Sequence, residues 1–162
     1  MKFFIYIFIL IFFSSCASKN AFTNFNLNEN EELSITSLKR TKIIKDGKTE
    51  GAFSAIYLNE VYPDIYNDDE YFFVYLYLKK EEKISDPNTI NDKKIKISLN
   101  NIQAIKLKEL SNINRFSKLT GSKNKWSRYY LVSFAKTGKA LTLKIESDQS
   151  FSAALSYQKD QQ

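Results

Sequence analysis

Apolar residues recur at every second position through most of this chain, in short runs closed by Asn, Asp, Ser, Gly or Lys. A period of two places alternate side chains on one face of an extended strand, whereas a helix would need spacings of three and four. Residues 33–44 and 49–60 flank Lys45-Asp46-Gly47-Lys48. Asp-Gly between two alternating runs predicts a hairpin, because a type I′ turn needs positive φ at both central residues. Residues 70–79 carry Phe72, Val74, Leu76 and Leu78 on one face and Tyr71, Phe73, Tyr75 and Tyr77 on the other. Such a strand is expected at the centre of a sheet, covered on both sides.

Later runs are shorter. Residues 93–99 point Ile95, Ile97 and Leu99 inward; 102–109 offer Ile105 and Leu107; 127–136 align Tyr130, Val132 and Phe134. Lys136-Thr137-Gly138-Lys139 turns into 140–146, with Leu141, Leu143 and Ile145 inward, and Ser147-Asp148-Gln149-Ser150 into 151–157, with Phe151, Ala153, Leu155 and Tyr157 on one face. The stretch 127–157 is expected to be a meander of three adjacent antiparallel strands. No segment after residue 16 holds a helical period over three turns. The expected class is all-β: an antiparallel β-sandwich, immunoglobulin-like, of seven or eight strands.

The first sixteen residues follow another rule. Lys2 is followed by an unbroken apolar run of 11 residues, Phe3 to Phe13, then Ser14, Ser15 and Cys16. A bilayer-spanning helix needs about 17–25 such residues, so this run has the length of a signal-peptide core. Phe13-Ser14-Ser15-Cys16 resembles the lipobox of bacterial lipoprotein precursors, with Phe13 where Leu is usual. That resemblance implies cleavage after Ser15, a diacylglyceryl thioether on Cys16 and acylation of the new amine. Several acyl chains give stable anchoring where one alone is marginal. In the resembled class an Asp after the cysteine often marks retention at the inner membrane; Ala17 stands there, which favours the outer membrane. The plainer alternative is an ordinary secretory signal with Cys16 incidental.

The expected organisation is therefore a signal peptide over 1–15, a lipidated N-terminus and flexible tether over 16–32, a β-sandwich domain over 33–158 and a polar tail over 159–162. A tether of that length has an end-to-end distance of about 20–25 Å and keeps the domain near the membrane surface.

Composition limits the chemistry. Cys16 is the single cysteine, so no intramolecular disulfide forms, and there is no histidine. Ser–His and Cys–His nucleophile pairs and imidazole zinc sites are thereby removed. Neither a phosphate loop nor a nucleophile elbow occurs, and the expected protein is not an enzyme and takes no cofactor or metal. Net charge is +6, which suits an anionic neighbour such as lipid headgroups or an acidic glycan; nucleic acid is not an expected partner of an exported chain. Arg115, Lys118, Lys123, Lys125 and Arg128 surround Trp126 without an intervening acid, which makes these six residues the candidate anionic-surface contact. The plainer alternative is a solvated loop whose Trp126 caps the core. The loop Glu60 to Glu70 holds five acids and lacks EF-hand spacing, so a solvated acidic loop is expected. Tyr71, Tyr75, Tyr77, Tyr129 and Tyr130 are read first as packing residues and second as a ligand surface. The functional expectation is a membrane-anchored envelope lipoprotein, a non-enzymatic binding or structural accessory module with an envelope protein or acidic glycan as partner. The alternative is a ligand- or glycan-binding lipoprotein with a Tyr/Trp-rich surface.

Overall fold

A computed structural model describes residues 29–79, 84, 95–117, 119, 126–147 and 151–159. Cys16, Lys118, Lys123 and Lys125 lie outside these residues, as does the apolar N-terminal run. Among the described residues no helix is long and apolar enough to cross a membrane.

The described residues form an antiparallel β-sandwich of nine strands: β1 (Lys39–Lys45), β2 (Lys48–Tyr57), β3 (Glu70–Leu78), β4 (Ile95–Leu99), β5 (Ile102–Gln103), β6 (Lys106–Leu110), β7 (Ser127–Phe134), β8 (Ala140–Ser147) and β9 (Phe151–Gln158). The described residues also form two short helices: α1 (Glu29–Thr36) ahead of β1, and α2 (Leu58–Val61) between β2 and β3. One sheet runs β1-β2-β3-β7-β6 and the other β5-β4-β8-β9.

The alternating patterns decide which faces meet. Phe72, Val74, Leu76 and Leu78 of β3, Tyr130, Val132 and Phe134 of β7, and the inward residues of β4, β8 and β9 form one core between the sheets. Phe73 and Tyr75 of β3 with Tyr129 of β7 form a second core on the outer side of the five-stranded sheet, under Leu58, Val61, Tyr62 and Phe116. The expected two-sided burial of β3 is thus present. The Asp46-Gly47 hairpin is present too, with φ of 50° and 73°.

Four local expectations change. Residues 33–36 belong to α1, not to a strand, and β1 begins at Lys39. Ser37 donates its N–H to Leu33 O at 2.9 Å, a helical bond that the alternation of 33–44 concealed. Residues 102–109 form two strands, because Asn100 and Asn101 both take positive φ and fold β4 onto β5 as a tight hairpin. The chain then crosses to the other sheet, so Ala104 is buried while Ile105 is half exposed. Nor is 127–157 a meander: β7 pairs with β3 and β6, and β8 pairs with β4 and β9. Gly47 is the one described glycine with positive φ; Gly138 lacks the backbone of a primed turn, and residues 135–139 carry the chain between sheets.

The sandwich is closed on one side. β1 and β9, the edges of the two sheets, lie side by side. Tyr157 donates its hydroxyl to Ala55 O at 2.6 Å, and Lys39 Nζ sits 4.7 Å from the centre of the Tyr157 ring. On the other side β6 is an outer strand whose Lys106, Lys108 and Glu109 are exposed, a charged edge of the sort that discourages unwanted strand pairing.

Gly51 marks a close approach. A Cβ there would lie 2.1 Å from the backbone oxygen of Tyr77 on β3, while a Cβ on Gly138 would meet nothing within 4 Å. Gly51→Ala is therefore expected to lower unfolding free energy by about 3 kcal/mol and Gly138→Ala to change it by about 0.5 kcal/mol or less, read by denaturant melts.

Burial raises the Tyr130 phenol from 10.0 to about 12. A raised acid favours the folded state while it stays protonated, so this contribution is intact below pH 10 and fades as pH climbs through 12. Tyr130→Phe should make the loss of stability across that window shallower in alkaline melts.

Candidate functional site

The end of the sandwich where β2 stops and β3 starts concentrates the polar chemistry of the described chain. β2 runs into α2, and a series of turns follows: Tyr62 donates its N–H to Leu58 O at 2.8 Å, and Ile65 and Tyr66 donate theirs to Tyr62 O at 3.0 Å each. Asn59 ties the two ends of this excursion. Its Nδ2 donates to Asp69 O at 2.6 Å, and its Oδ1 accepts the Tyr71 N–H at 2.7 Å. An amide side chain thereby replaces ladder bonds that the loop cannot make.

Glu70, the first residue of β3, is 1% exposed. Tyr57 donates its hydroxyl to Oε2 at 2.6 Å, and Thr137 donates its N–H to Oε1 at 3.1 Å. Lys159 places Nζ on the same Oε1 and donates also to Thr137 O at 2.8 Å. The Lys159 N–H reaches Lys139 O at 3.0 Å. One carboxylate thus joins the end of β2, the start of β3, the β7–β8 crossing and the chain after β9. Burial pushes the Tyr57 phenol well above its ordinary range, and the hydrogen bond to Glu70 and its negative charge push the same way. That proton stays on Tyr57. A carboxylate so fully engaged serves as a lock, since protonating it would leave the half-buried Lys159 ammonium without its charge partner.

Next to this lock lies a cavity of about 360 Å³. Of its lining, Tyr57 and Glu70 are buried and Asn59, Tyr66 and Lys159 half-buried; Glu60, Pro63, Asn67 and Lys136 are exposed and form the open part. Glu60, Asn67 and Lys136 make no hydrogen bond or ion pair with another described residue.

The basic segment is divided by the fold. Arg115 lays its guanidinium 4.7 Å from the centre of the Tyr62 ring and 5.4 Å from that of Phe116. Arg128, on β7, pairs with Glu109 of β6 at 3.3 Å, and Trp126 is half-buried. The acidic and basic loops therefore meet within one chain, through Tyr62, Phe116 and Arg115. Of the five tyrosines, Tyr75, Tyr129 and Tyr130 are buried, and Tyr129 and Tyr130 serve opposite cores. Tyr71 and Tyr77 are half-buried at the margin of the outer core. Within the acidic loop Asp64 and Asp68 are exposed and Glu70 is buried. No group of three or more His, Cys, Asp or Glu able to hold a metal occurs among the described residues.

The polarity of Lys159 places it in the tail, and its partner is 89 residues away in sequence. No spacing rule reaches that far. The available hint was Glu70 itself, an acid leading directly into the most apolar strand of the chain.

The chain matches no family model, and no curated protein or solved structure is significantly similar to it.

Replacing Glu70 by Gln should cost about 3 kcal/mol of stability, because Lys159 then keeps its charge without its partner. The double variant Glu70→Gln, Lys159→Met should recover part of that loss in the same denaturant titration.

Proposed function

We propose that this chain is a membrane-anchored envelope lipoprotein, processed and acylated at Cys16, whose β-sandwich is a non-enzymatic binding or structural accessory module. The observation that carries this reading is the N-terminal segment, a short apolar run ending in Ser14-Ser15-Cys16. Ala17 after the cysteine favours the outer membrane. The engaged state of Glu70, Lys159 and Tyr57 adds support, because the most buried ionisable cluster is committed to holding segments together.

Strand order supports an immunoglobulin-like reading of the fold. The order β2-β3-β7-β6 facing β4-β8-β9 corresponds to strands A-B-E-D facing C-F-G, with β5 beside C and β1 beyond A. Sandwiches of this shape dock partners through loops and open edges, and on this reading the partner is an envelope protein or an acidic glycan. Ile113, in the β6–β7 loop, is 92% exposed, which makes it a convenient probe position for a loop-mediated contact. The ligand-binding alternative draws its support from the cavity beside Glu70 rather than from the tyrosines, most of which are packed.

Cys16→Ser is expected to move the protein out of the membrane fraction or to halt it as an unprocessed precursor, read by fractionation and intact mass. Fully processed Cys16→Ser protein still held in membranes would sink the anchor. A photoreactive side chain at position 113 should crosslink one defined envelope component in intact cells, and a substitution at exposed Thr142 of β8 should not.

A further inference from the structure

The cavity beside Glu70 has an unusual division of charge. Its deeper lining is electrically settled: the Glu70 carboxylate and the Lys159 ammonium cancel, and Tyr57 keeps its proton while donating a hydrogen bond to Glu70. Its open part carries one acid, Glu60, and one base, Lys136, and neither has a partner among the described residues. A volume of about 360 Å³ is at the lower end of the usual ~300–1,000 Å³ for small-molecule sites.

These facts select among ligands. A purely anionic ligand would meet Lys136 but press against Glu60, and a purely cationic one would do the reverse; in either case one side-chain charge loses water without compensation. A molecule carrying both signs satisfies both. Hydrogen-bonding capacity remains for it as well. An ammonium has three N–H donors, and Lys159 spends two on Glu70 and Thr137. The Asn67 amide adds a donor and an acceptor. Pro63 and the Tyr66 ring, itself 5.1 Å from that of Tyr71, supply an apolar wall for a short side chain.

We propose that this cavity binds a small zwitterion, a free α-amino acid or an unblocked dipeptide, with Lys136 meeting its carboxylate and Glu60 its ammonium. The proposal deepens the binding-module reading above and needs nothing from the lipid anchor, so release of Cys16→Ser protein and loss of this site are separate results.

The test is calorimetric titration of the intact chain in detergent micelles with alanine, glutamine and alanyl-alanine. N-acetylalanine and alanine amide, each lacking one charge, and the neutral sugars glucose and N-acetylglucosamine form the comparison set. Free amino acid or dipeptide should bind with a Kd below about 10 mM, and each capped form about tenfold or more weakly. Glu60→Gln and Lys136→Met should each weaken binding by a similar factor while leaving the melting temperature unchanged, since both side chains are exposed and neither is bonded to another described residue. The proposal is overturned by silence from every zwitterion at that concentration, by capped forms binding as well as uncapped ones, by a neutral sugar binding in preference, or by binding that survives both substitutions. The capped-ligand comparison stands even if a variant misfolds.

Discussion

β3 is apolar on both faces, and that one property requires most of the architecture. A strand with Phe72, Val74 and Leu76 on one side and Phe73 and Tyr75 on the other needs two covers. The second sheet provides the first. The second is assembled from smaller parts: the single turn of α2, Tyr62 behind it, and Phe116 from the β6–β7 loop, whose ring lies 4.6 Å from that of Phe73. Without that outer layer, Phe73 and Tyr129 would face water, and burying an aromatic ring of that size is worth a few kcal/mol. The acidic and basic loops are therefore not ornaments of the surface; each contributes an aromatic residue to a core.

The same strand begins with an acid, and the contrast explains the lock. Glu70 could not be left unpaired at the mouth of so apolar an interior, and the fold brings it a phenol, a backbone N–H and an ammonium from three other segments. Those bonds hold the loop end of the sandwich in one arrangement. The adjoining cavity has walls set by the lock and a mouth set by freer side chains, which is a suitable division between rigidity and access.

What could be read from the residues alone was governed by distance along the chain. Alternation is a local signal, and it located β3, β4, β8 and β9 with the correct inward residues, down to Ile95, Leu143 and Tyr157. Asp46-Gly47 is likewise local and correct. Failures came where the deciding interaction was remote or where a local signal had two meanings. Thr137-Gly138 resembles a hairpin turn, yet β7 is held by β3 and β6, so the chain crosses to the other sheet. Asn100-Asn101 is a turn signal that the alternation of 102–109, which suggests one strand, conceals. The Glu70–Lys159 pair and the cavity beside it are products of tertiary folding, and no window of sequence contains them.

The outermost strand of the larger sheet has a consequence for encounters between copies of this chain. Open sheet edges are where such encounters become ladders of stacked chains. With β1 and β9 covering each other and β5 only two residues long, the lysines of β6 guard the longer edge that remains among the described strands. Two copies approaching there would bring Lys106 and Lys108 toward their own duplicates, a like-charge encounter that disfavours registry. A high local concentration of copies is thereby compatible with staying dispersed.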